Sequence, residues 1–275
     1  MPPALDTIVV LDFEATCQRG APPSPQEVIE FPSVLVSLRE RAVLDSFSSF
    51  VRPTHHPQLS EFCRALTSIR QEDVDAAPTF PEVLARHQAW LAGHGLHADN
   101  FAFVTCGDWD LVRMMPNQCA AAGISVVTLP RMYRRWINIK RVYTDTLRKG
   151  RSYGMTSMLR SLKLPLEGTH HRGIDDCGNI ARIALALAAR GASFELTNRL
   201  PAEFYPALPL ALRWNDRTVH ATLGQRLRAQ LLALASDLFQ TPMARVTTPD
   251  GVEVTDDQQL TELPDGALLQ VYEPA

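Results

Sequence analysis

Two acidic side chains stand at the end of an apolar run near the start of the chain. The run is IVVLDFE, residues 8–14, and it places Asp12 and Glu14 two positions apart. Side chains at positions i and i+2 of a strand point to the same face, so the pattern predicts two carboxylates that project together from a buried strand. Two like charges held close repel unless a cation lies between them. The pair therefore indicates either a site for a divalent metal such as Mg²⁺ or Mn²⁺, or an ordinary acidic turn that runs into solvent.

Further acids occupy positions where strands end or helices begin. Asp108 follows the apolar stretch 101–106 in the sequence TCGDWD, and Asp176 opens a predicted helix five residues after His171. Ligands of open α/β sheets bind at the edge where the strands end, so we expect these residues to meet the first pair there. Carboxylates in such a group can hold two metal ions that clamp a phosphodiester. A histidine, whose pKa is ordinarily about 6.5, suits the general base that activates the attacking water.

The histidine and its acid have a duplicate, because His170 and Asp175 repeat the spacing of His171 and Asp176. Asp176 lies four residues before Ile180 and shares a helix face with it, so the phase of the helix points Asp176 inward. Asp175 is then better placed to cap the helix start. A histidine here can instead be a structural hydrogen-bonding residue, and the spacing alone does not choose between the two roles.

The elements that would position these residues follow from hydrophobic periodicity. Strands are predicted at residues 7–14, 28–39 with an interruption at Pro32, 43–52, 101–106 and, for a short one, 125–129. Helices are predicted at residues 59–70, 81–92, 111–122 and 176–190. The first three strands have short connections and are expected to form a meander. Strands followed by helices predict an α/β domain in which helices flank a mixed central sheet.

The end of the chain has a different organisation. Residues 197–209 carry three prolines and little periodicity. The pattern predicts a large α/β domain at 5–195, a linker at 196–208 and a small module at 209–275. In that module a hairpin at 210–223, an amphipathic helix at 223–239 and strands at 243–248 and 267–272 predict a small α+β fold of the β-grasp, ubiquitin-like kind. It contains no catalytic cluster, which favours a docking surface for a protein partner.

Composition bounds the class of protein. The chain has 275 residues, of which 45% are hydrophobic and 21% are charged, as in a globular protein with a sizeable core. No apolar run approaches the ~20 residues of a membrane span, and the start MPPALDT does not resemble a secretory signal. Five widely spaced cysteines without a CxxC pair predict neither a zinc site nor a disulfide framework. We therefore expect a cytoplasmic or nuclear protein, with no membrane partner.

A basic segment follows the middle of the chain. Residues 128–163 hold ten basic residues and one acid, whereas residues 249–275 hold seven acids and no Lys or Arg. The basic residues alternate with aromatic ones, Tyr133, Trp136, Tyr143 and Tyr153, a pattern that could follow a phosphate backbone and stack on bases. The alternative is a solvated charged face over aromatic residues of the core.

Three motifs together resemble a known family. DFEAT, GDWD and HxGxDD look like the motifs of the DEDDh (DnaQ-like) 3′-to-5′ exonucleases, which have an RNase H-like fold. The resemblance is closest to the histone-mRNA 3′-end, or enhanced-RNAi, exoribonucleases, and it covers roughly residues 5–190. The matching stretches are DFEATC at 12–17, EVIEFPSVLV at 27–36, the segment 50–84, FVTCGDWDL at 103–111, WINIK at 136–140 and HRGIDDCGNIARIAL at 171–185.

The resemblance implies a two-metal exoribonuclease. It implies Asp12, Glu14, Asp108 and Asp176 as metal ligands for two Mg²⁺ ions, with Mn²⁺ as an alternative, and His171 as the general base. The substrate would be a single-stranded or overhanging RNA 3′ end, from which nucleoside 5′-monophosphates are released.

The resemblance also implies contacts with the terminal nucleotide. The matching positions are Ala15, Thr16, Leu66 and Trp109. Leu66 could equally be a core residue, and Trp109 could pack beneath the sheet. Two other functions stay open: an RNA-binding adaptor whose C-terminal module recruits a partner, and an exonuclease that acts on single-stranded DNA.

Overall fold

The computed structural model describes residues 5–148, 150, 154–205 and 207–274. The chain divides into two units, Met1–Leu200 and Pro201–Ala275. The strands of the first unit are β1 (Thr7–Leu11), β2 (Glu14–Ala15), β3 (Val28–Ser37), β4 (Ala42–Phe50), β5 (Ala102–Thr105), β6 (Arg135–Asn138) and β7 (Asn198–Arg199). Its helices are α1 (Glu61–Thr67), α2 (Gln71–Asp75), α3 (Phe80–Gly93), α4 (Met115–Ala121), α5 (Ile139–Leu147), α6 (Met155–Leu162) and α7 (Gly173–Ala188).

The first unit is built on one mixed sheet. Its strand order is β2-β3-β1-β5-β6-β7, and β4 pairs with the free side of β3. β1, β3 and β4 are antiparallel neighbours, which confirms the predicted meander, whereas β1, β5 and β6 run parallel. Helices α5, α6 and α7 cover one face of the sheet through an apolar core. The predicted α/β class with a mixed sheet is therefore confirmed. The predicted linker 196–208 overlaps β7, which pairs with β6.

The first strand is broken where the two acids lie. β1 ends at Leu11, and the chain pairs with β3 again only at Glu14, so residues 7–14 do not form the one continuous strand that was predicted. Pro32 of β3 falls opposite this gap, because Leu11 pairs with Ser33 and Glu14 with Glu30. A proline has no N–H to donate to a neighbouring strand, so β3 accommodates Pro32 there without the predicted interruption.

Two other predictions of local structure were wrong. Residues 125–129 form a 3₁₀ turn, Val126–Thr128, and not a strand, since both sides of β5 are already paired with β1 and β6. Asp175 does not cap α7. The helix begins at Gly173 with Arg172 as its N-cap, and the Asp175 carboxylate accepts a hydrogen bond from the Thr169 amide at 2.8 Å.

The second unit has its own sheet and core. Its elements are β8 (Leu208–Trp214), β9 (Arg217–Leu223), α8 (Arg228–Phe239), β10 (Arg245–Thr247), α9 (Asp257–Thr261) and β11 (Ala267–Tyr272). The strand order is β10-β11-β8-β9, with β8 and β11 parallel and the other pairs antiparallel. The predicted hairpin is β8–β9. The helix begins five residues later than predicted. Buried leucines of β8, α8 and β11 form the core of this unit.

Within the described ranges, no helix combines the length and the apolar character that crossing a membrane requires.

Candidate active site

Three of the predicted acids lie together. Ligand oxygens of Asp12, Glu14 and Asp176 all lie within 4.8 Å of one another. Asp12 follows the end of β1, Glu14 begins β2, and Asp176 lies in the first turn of α7. The close approach of α7 depends on Gly173, where a Cβ atom would be 2.9 Å from the Asp12 carbonyl oxygen. The three acids therefore come from separate elements that this glycine allows to meet.

The structure places Asp110, and not Asp108, beside this cluster. Asp110 is 4% exposed, and its Oδ1 accepts a hydrogen bond of 2.9 Å from the Phe13 amide in the gap between β1 and β2. After burial, the charge of Asp110 is the largest cause that raises the pKa of Asp12. Asp108 instead accepts a hydrogen bond of 2.9 Å from the Trp136 indole. The prediction of Asp108 as the fourth acid thus disagrees with the geometry.

A signal in the sequence could have found Asp110. It begins a π-helical turn, Asp110–Met114, that leads into α4 and buries Leu111 and Met114. Asp110 lies four residues before Met114 and so shares the inward face. Asp108 stands nearer the end of β5, and its position in the sequence therefore favours it. Helix phase, the argument that favours Asp176 over Asp175, favours Asp110.

Burial and neighbouring charges raise the pKa values of three of these acids. Burial and then the nearby acids Asp176, Glu30 and Asp110 raise the pKa of Glu14 to about 9. Burial also raises the pKa of Asp110 to about 6, against the opposing hydrogen bond from the Phe13 amide. The pKa of Asp12 rises for the same two reasons, burial and neighbouring carboxylates. Such a group favours protons or cations, and the all-carboxylate donor set fits a hard divalent ion.

Both histidines of the HH pair reach this edge. Ligand atoms of His170, His171 and Asp176 lie within 4.8 Å of one another, and the two rings stack with centroids 3.9 Å apart. His170 Nδ1 lies 2.9 Å from an Asp176 carboxylate oxygen, whereas His171 donates its backbone N–H to the same oxygen. His171 is partly exposed to solvent. Burial of part of the ring and the neighbouring His170 lower the pKa of His171, which favours its neutral form.

A buried ion pair supports the start of α7, and sequence reasoning missed it. Glu30 is fully buried and pairs in register with Glu14 across β2 and β3. Its carboxylate lies 3.2 Å from Arg172 Nε and accepts a hydrogen bond of 3.0 Å from the Gly173 amide. The Arg172 guanidinium also lies 4.5 Å from the centre of the Phe50 ring. The pair links β3 to the helix that carries Asp176. A lone acid within a buried strand was the available signal.

The predicted nucleotide contacts are placed differently from one another. Trp109 is 42% exposed, so it does not pack beneath the sheet. Leu66 is partly buried on α1. Thr16 is buried, with its amide donating to the Glu27 carbonyl at 2.8 Å and its hydroxyl accepting from the Glu27 amide. Ala15 is buried in β2. The polar groups of Thr16 are therefore engaged within the protein.

The basic segment is less open than its composition suggested. Tyr133, Trp136 and Tyr143 are buried, so they are core residues and not surfaces on which bases stack. Arg131 pairs with Asp99, and Arg135 binds the Ala98 carbonyl. Lys149, Arg151 and Tyr153 of the predicted segment lie outside the described residues. The alternative of charged residues over core aromatics is thus the better description of the part that is described.

Comparison with known proteins finds matches over most of this chain. The exonuclease family model (RNase T) matches residues 9–184. Human ERI1 exoribonuclease 3 is 42% identical over 193 residues, 70% of this chain and 56% of that protein. Human 3′-5′ exoribonuclease 1 is 37% identical over 200 residues, again 56% of its length, so this chain spans about half of these curated relatives.

A solved structure also matches most of this chain. The nuclease domain of 3′hExo, a DEDDh family member crystallised with rAMP, is 36% identical and superposes with a TM-score of 0.68, over 71% of this chain and 98% of that one. Asp12, Glu14, Asp110 and Asp176 all lie within residues 9–184, which the family model matches. This chain belongs to the exonuclease family, with an RNase H-like α/β fold.

Proposed function

We propose that this chain is a metal-dependent 3′-to-5′ exoribonuclease that releases nucleoside 5′-monophosphates. The observation that carries the proposal is the group of carboxylates Asp12, Glu14 and Asp176 at the end of β1, in which burial and neighbouring acids raise the pKa values of Asp12 and Glu14. The family match and the relatives named as exoribonucleases support the same reaction.

Four acids would hold the ions: Asp12, Glu14, Asp110 and Asp176. Asp110 takes the place of the predicted Asp108 in this set. The Asp108 carboxylate is hydrogen-bonded to the Trp136 indole, whereas the charge of Asp110 acts on Asp12. All donors are carboxylate oxygens, which suits two Mg²⁺ ions, or Mn²⁺, better than softer metals. When bound, the ions would stabilise the attacking and the leaving oxygens of the phosphodiester.

His171 would take the proton from the attacking water. His171 is partly exposed at the edge of the site, and its lowered pKa favours the neutral ring, which has one nitrogen free of a proton. The His171 backbone N–H donates a hydrogen bond to the Asp176 carboxylate, and this bond positions the Cα atom from which the side chain extends. His170 would hold Asp176 and stack beneath His171. The resemblance to the DEDDh motif supports His171 over His170 for the proton transfer.

The substrate would be the 3′ end of a single-stranded RNA or of an overhang. The exposed Trp109 indole directly precedes Asp110, so it offers a flat surface for a terminal base next to the acids. Leu66 would contact the same nucleotide from α1. The binding of rAMP by the related nuclease domain supports a ribonucleotide, although the two-metal reaction itself does not require a 2′-hydroxyl.

A blocked 3′ end tests the proposal. RNA labelled at its 5′ end should shorten in the presence of Mg²⁺ and release mononucleotides, whereas the same RNA with a 3′-terminal phosphate block should resist. A DNA strand of the same sequence should be degraded more slowly. Equal degradation of the blocked RNA would contradict an exonuclease, and faster degradation of the DNA would favour the single-stranded DNA alternative.

We also propose that residues 209–275 form a β-grasp, ubiquitin-like module that binds a protein partner. The strand order with parallel β8 and β11 between antiparallel neighbours, crossed by α8, supports this fold. Its separate leucine core supports an autonomous module. A chain truncated after Leu200 should keep its activity on a short RNA within about twofold. Loss of that activity would mean that the module takes part in the reaction.

A further inference from the structure

Two cysteines meet next to the candidate active site. Cys17 follows β2 by two residues, and Cys63 lies in α1. The Cys17 side chain packs against the apolar cluster that contains Cys63, and the two thiols lie close enough to interact. Cys63 is fully buried, whereas Cys17 is partly exposed to solvent. The pair therefore has one thiol that solvent reaches and one that is enclosed.

The backbone holds the two thiols together through Ser60. The Ser60 hydroxyl donates a hydrogen bond of 2.6 Å to the Cys17 carbonyl and accepts one of 3.0 Å from the Cys63 amide. Ser60 is the N-cap of α1, so the bond that starts the helix also fixes the loop that carries Cys17. Cys17 and Cys63 share one apolar cluster with Ile29 and Ile69. Their proximity is thus a property of the fold.

The pair differs chemically from the other buried cysteines. The interaction between the two side chains lowers the pKa of the Cys63 thiol to about 7 and raises the pKa of the Cys17 thiol. Burial raises the pKa of Cys119 to about 12, and burial also raises that of Cys177. Thiolates react with oxidants and thiols hardly do. Because Cys63 favours the thiolate, the Cys17–Cys63 pair is more reactive than Cys119 or Cys177.

We propose that Cys17 and Cys63 form an oxidant-sensitive dithiol, which a hydroperoxide converts into a disulfide that lowers nuclease activity. One thiol is first oxidised to a sulfenic acid as the O–O bond of hydrogen peroxide breaks and water leaves. The second sulfur then attacks the sulfenic sulfur, the S–S bond forms, and a second water carries away the oxygen and the remaining protons. Reduction by a dithiol reverses the change.

The effect on activity rests on the proposed function. Cys63 Sγ contacts the Ala15 carbonyl at 3.7 Å, directly beside Glu14, and Leu66 lies one turn further along the same helix. A disulfide brings its two sulfurs to about 2.05 Å, which is well inside hydrogen-bonding distance. The Cys17 loop and α1 must therefore move towards each other. Ala15 and Leu66, which are proposed to contact the terminal nucleotide, would move with them.

Mass spectrometry and an RNA assay on the full chain test the two parts separately. After treatment with hydrogen peroxide and alkylation of the remaining thiols, peptide mapping should show a Cys17–Cys63 disulfide. Activity on RNA should fall by about tenfold or more and return after treatment with dithiothreitol. Cys17→Ser should keep its activity under peroxide, and Cys63→Ser should do the same. Cys119→Ser is the matched control and should behave like the unchanged chain.

The outcomes are distinguishable. Absence of the disulfide after peroxide treatment overturns the dithiol, whatever the activity. A mapped disulfide with unchanged activity, or equal loss of activity in Cys17→Ser, overturns its effect on the nuclease. Cys17→Ser decides the matter even if Cys63→Ser does not fold, because Cys17 is partly exposed. A reduced chain that has no activity on RNA contradicts the proposed function, while peptide mapping still decides whether the dithiol exists.

Discussion

Two faces of the same sheet bury polar groups in opposite ways. On one face His87 is fully buried, and its two ring nitrogens lie 2.9 Å from the Ser33 hydroxyl and 2.7 Å from the Tyr133 hydroxyl. On the other face Asp12 and Glu14 have other acids as neighbours, and these raise their pKa values. β3 serves both faces, since Ser33 contacts His87 and Glu30 lies beside the acids.

The difference separates stability from function. A buried polar group whose hydrogen bonds are satisfied costs little and specifies how the core packs. Carboxylates that repel one another reduce stability until a cation or a proton joins them. The His87 side therefore contributes mainly to the fold, whereas the acid side keeps a cost that a metal ion would relieve. The following changes test this division.

The largest expected effect is the loss of activity in Asp110→Asn. The asparagine can still accept the hydrogen bond from the Phe13 amide, so the fold should persist while the charge that would hold metal is lost. Mg²⁺-dependent release of mononucleotides should fall by roughly 1000-fold, about 4 kcal/mol.

Asp108→Asn is the matched control, because it keeps the acceptor for the Trp136 indole. It should retain activity within about fivefold, or less than ~1 kcal/mol. If Asp108→Asn is inactive while Asp110→Asn is active, the metal ligand is Asp108 as the sequence first suggested.

Replacing His87 should mainly affect stability. His87→Ala removes a buried ring and leaves the Ser33 and Tyr133 hydroxyls without that partner, so the free energy of unfolding should fall by about 3 kcal/mol. Urea denaturation measures this loss. Activity should change little at temperatures where the variant stays folded. The exposed His97→Ala is the control and should change stability by less than ~0.5 kcal/mol. A similar loss in both variants would contradict the assigned role of His87.

Per pH unit, the smallest expected effects are two opposite slopes of the free energy of unfolding against pH. They are expected in protein kept free of divalent cations by a chelator. Burial lowers the pKa of His87 from 6.5 to about 3, so the unfolded chain binds the extra proton between these values and stability falls as the pH drops. The pKa of Glu14 rises from 4.5 to about 9, so the folded chain holds the extra proton and stability falls as the pH rises. Each slope is at most about 1.4 kcal/mol per pH unit.

Two changes isolate the alkaline slope. Glu14→Gln should flatten it between pH 7 and 9, since the amide does not titrate. Saturating Mg²⁺ should flatten it too, because a bound cation favours the charged carboxylates. Urea midpoints measured across this range check both expectations. A slope that survives both changes would show that the acids are not the source.

Several features of this fold could be predicted from local sequence patterns. The meander of β1, β3 and β4 and the hairpin β8–β9 follow from periodicity and short connections, whereas β6, α5 and α6 were not predicted. The proximity of Asp12, Glu14 and Asp176 could be predicted, because strand ends and helix starts meet at one edge of the sheet. The break in the first strand could not be predicted, because Pro32 lies opposite it in another strand.

The sequence by itself determined the class of the fold, the family and the carboxylate chemistry, because periodicity and motif spacing are local properties. Only the tertiary structure placed Asp110 against the Phe13 amide, buried the aromatic residues of the basic segment, and brought Cys17 close to Cys63. Those choices depend on which side chains from distant segments fill the same space. Residue types and spacing along one chain do not encode that until the sheet and helices have packed.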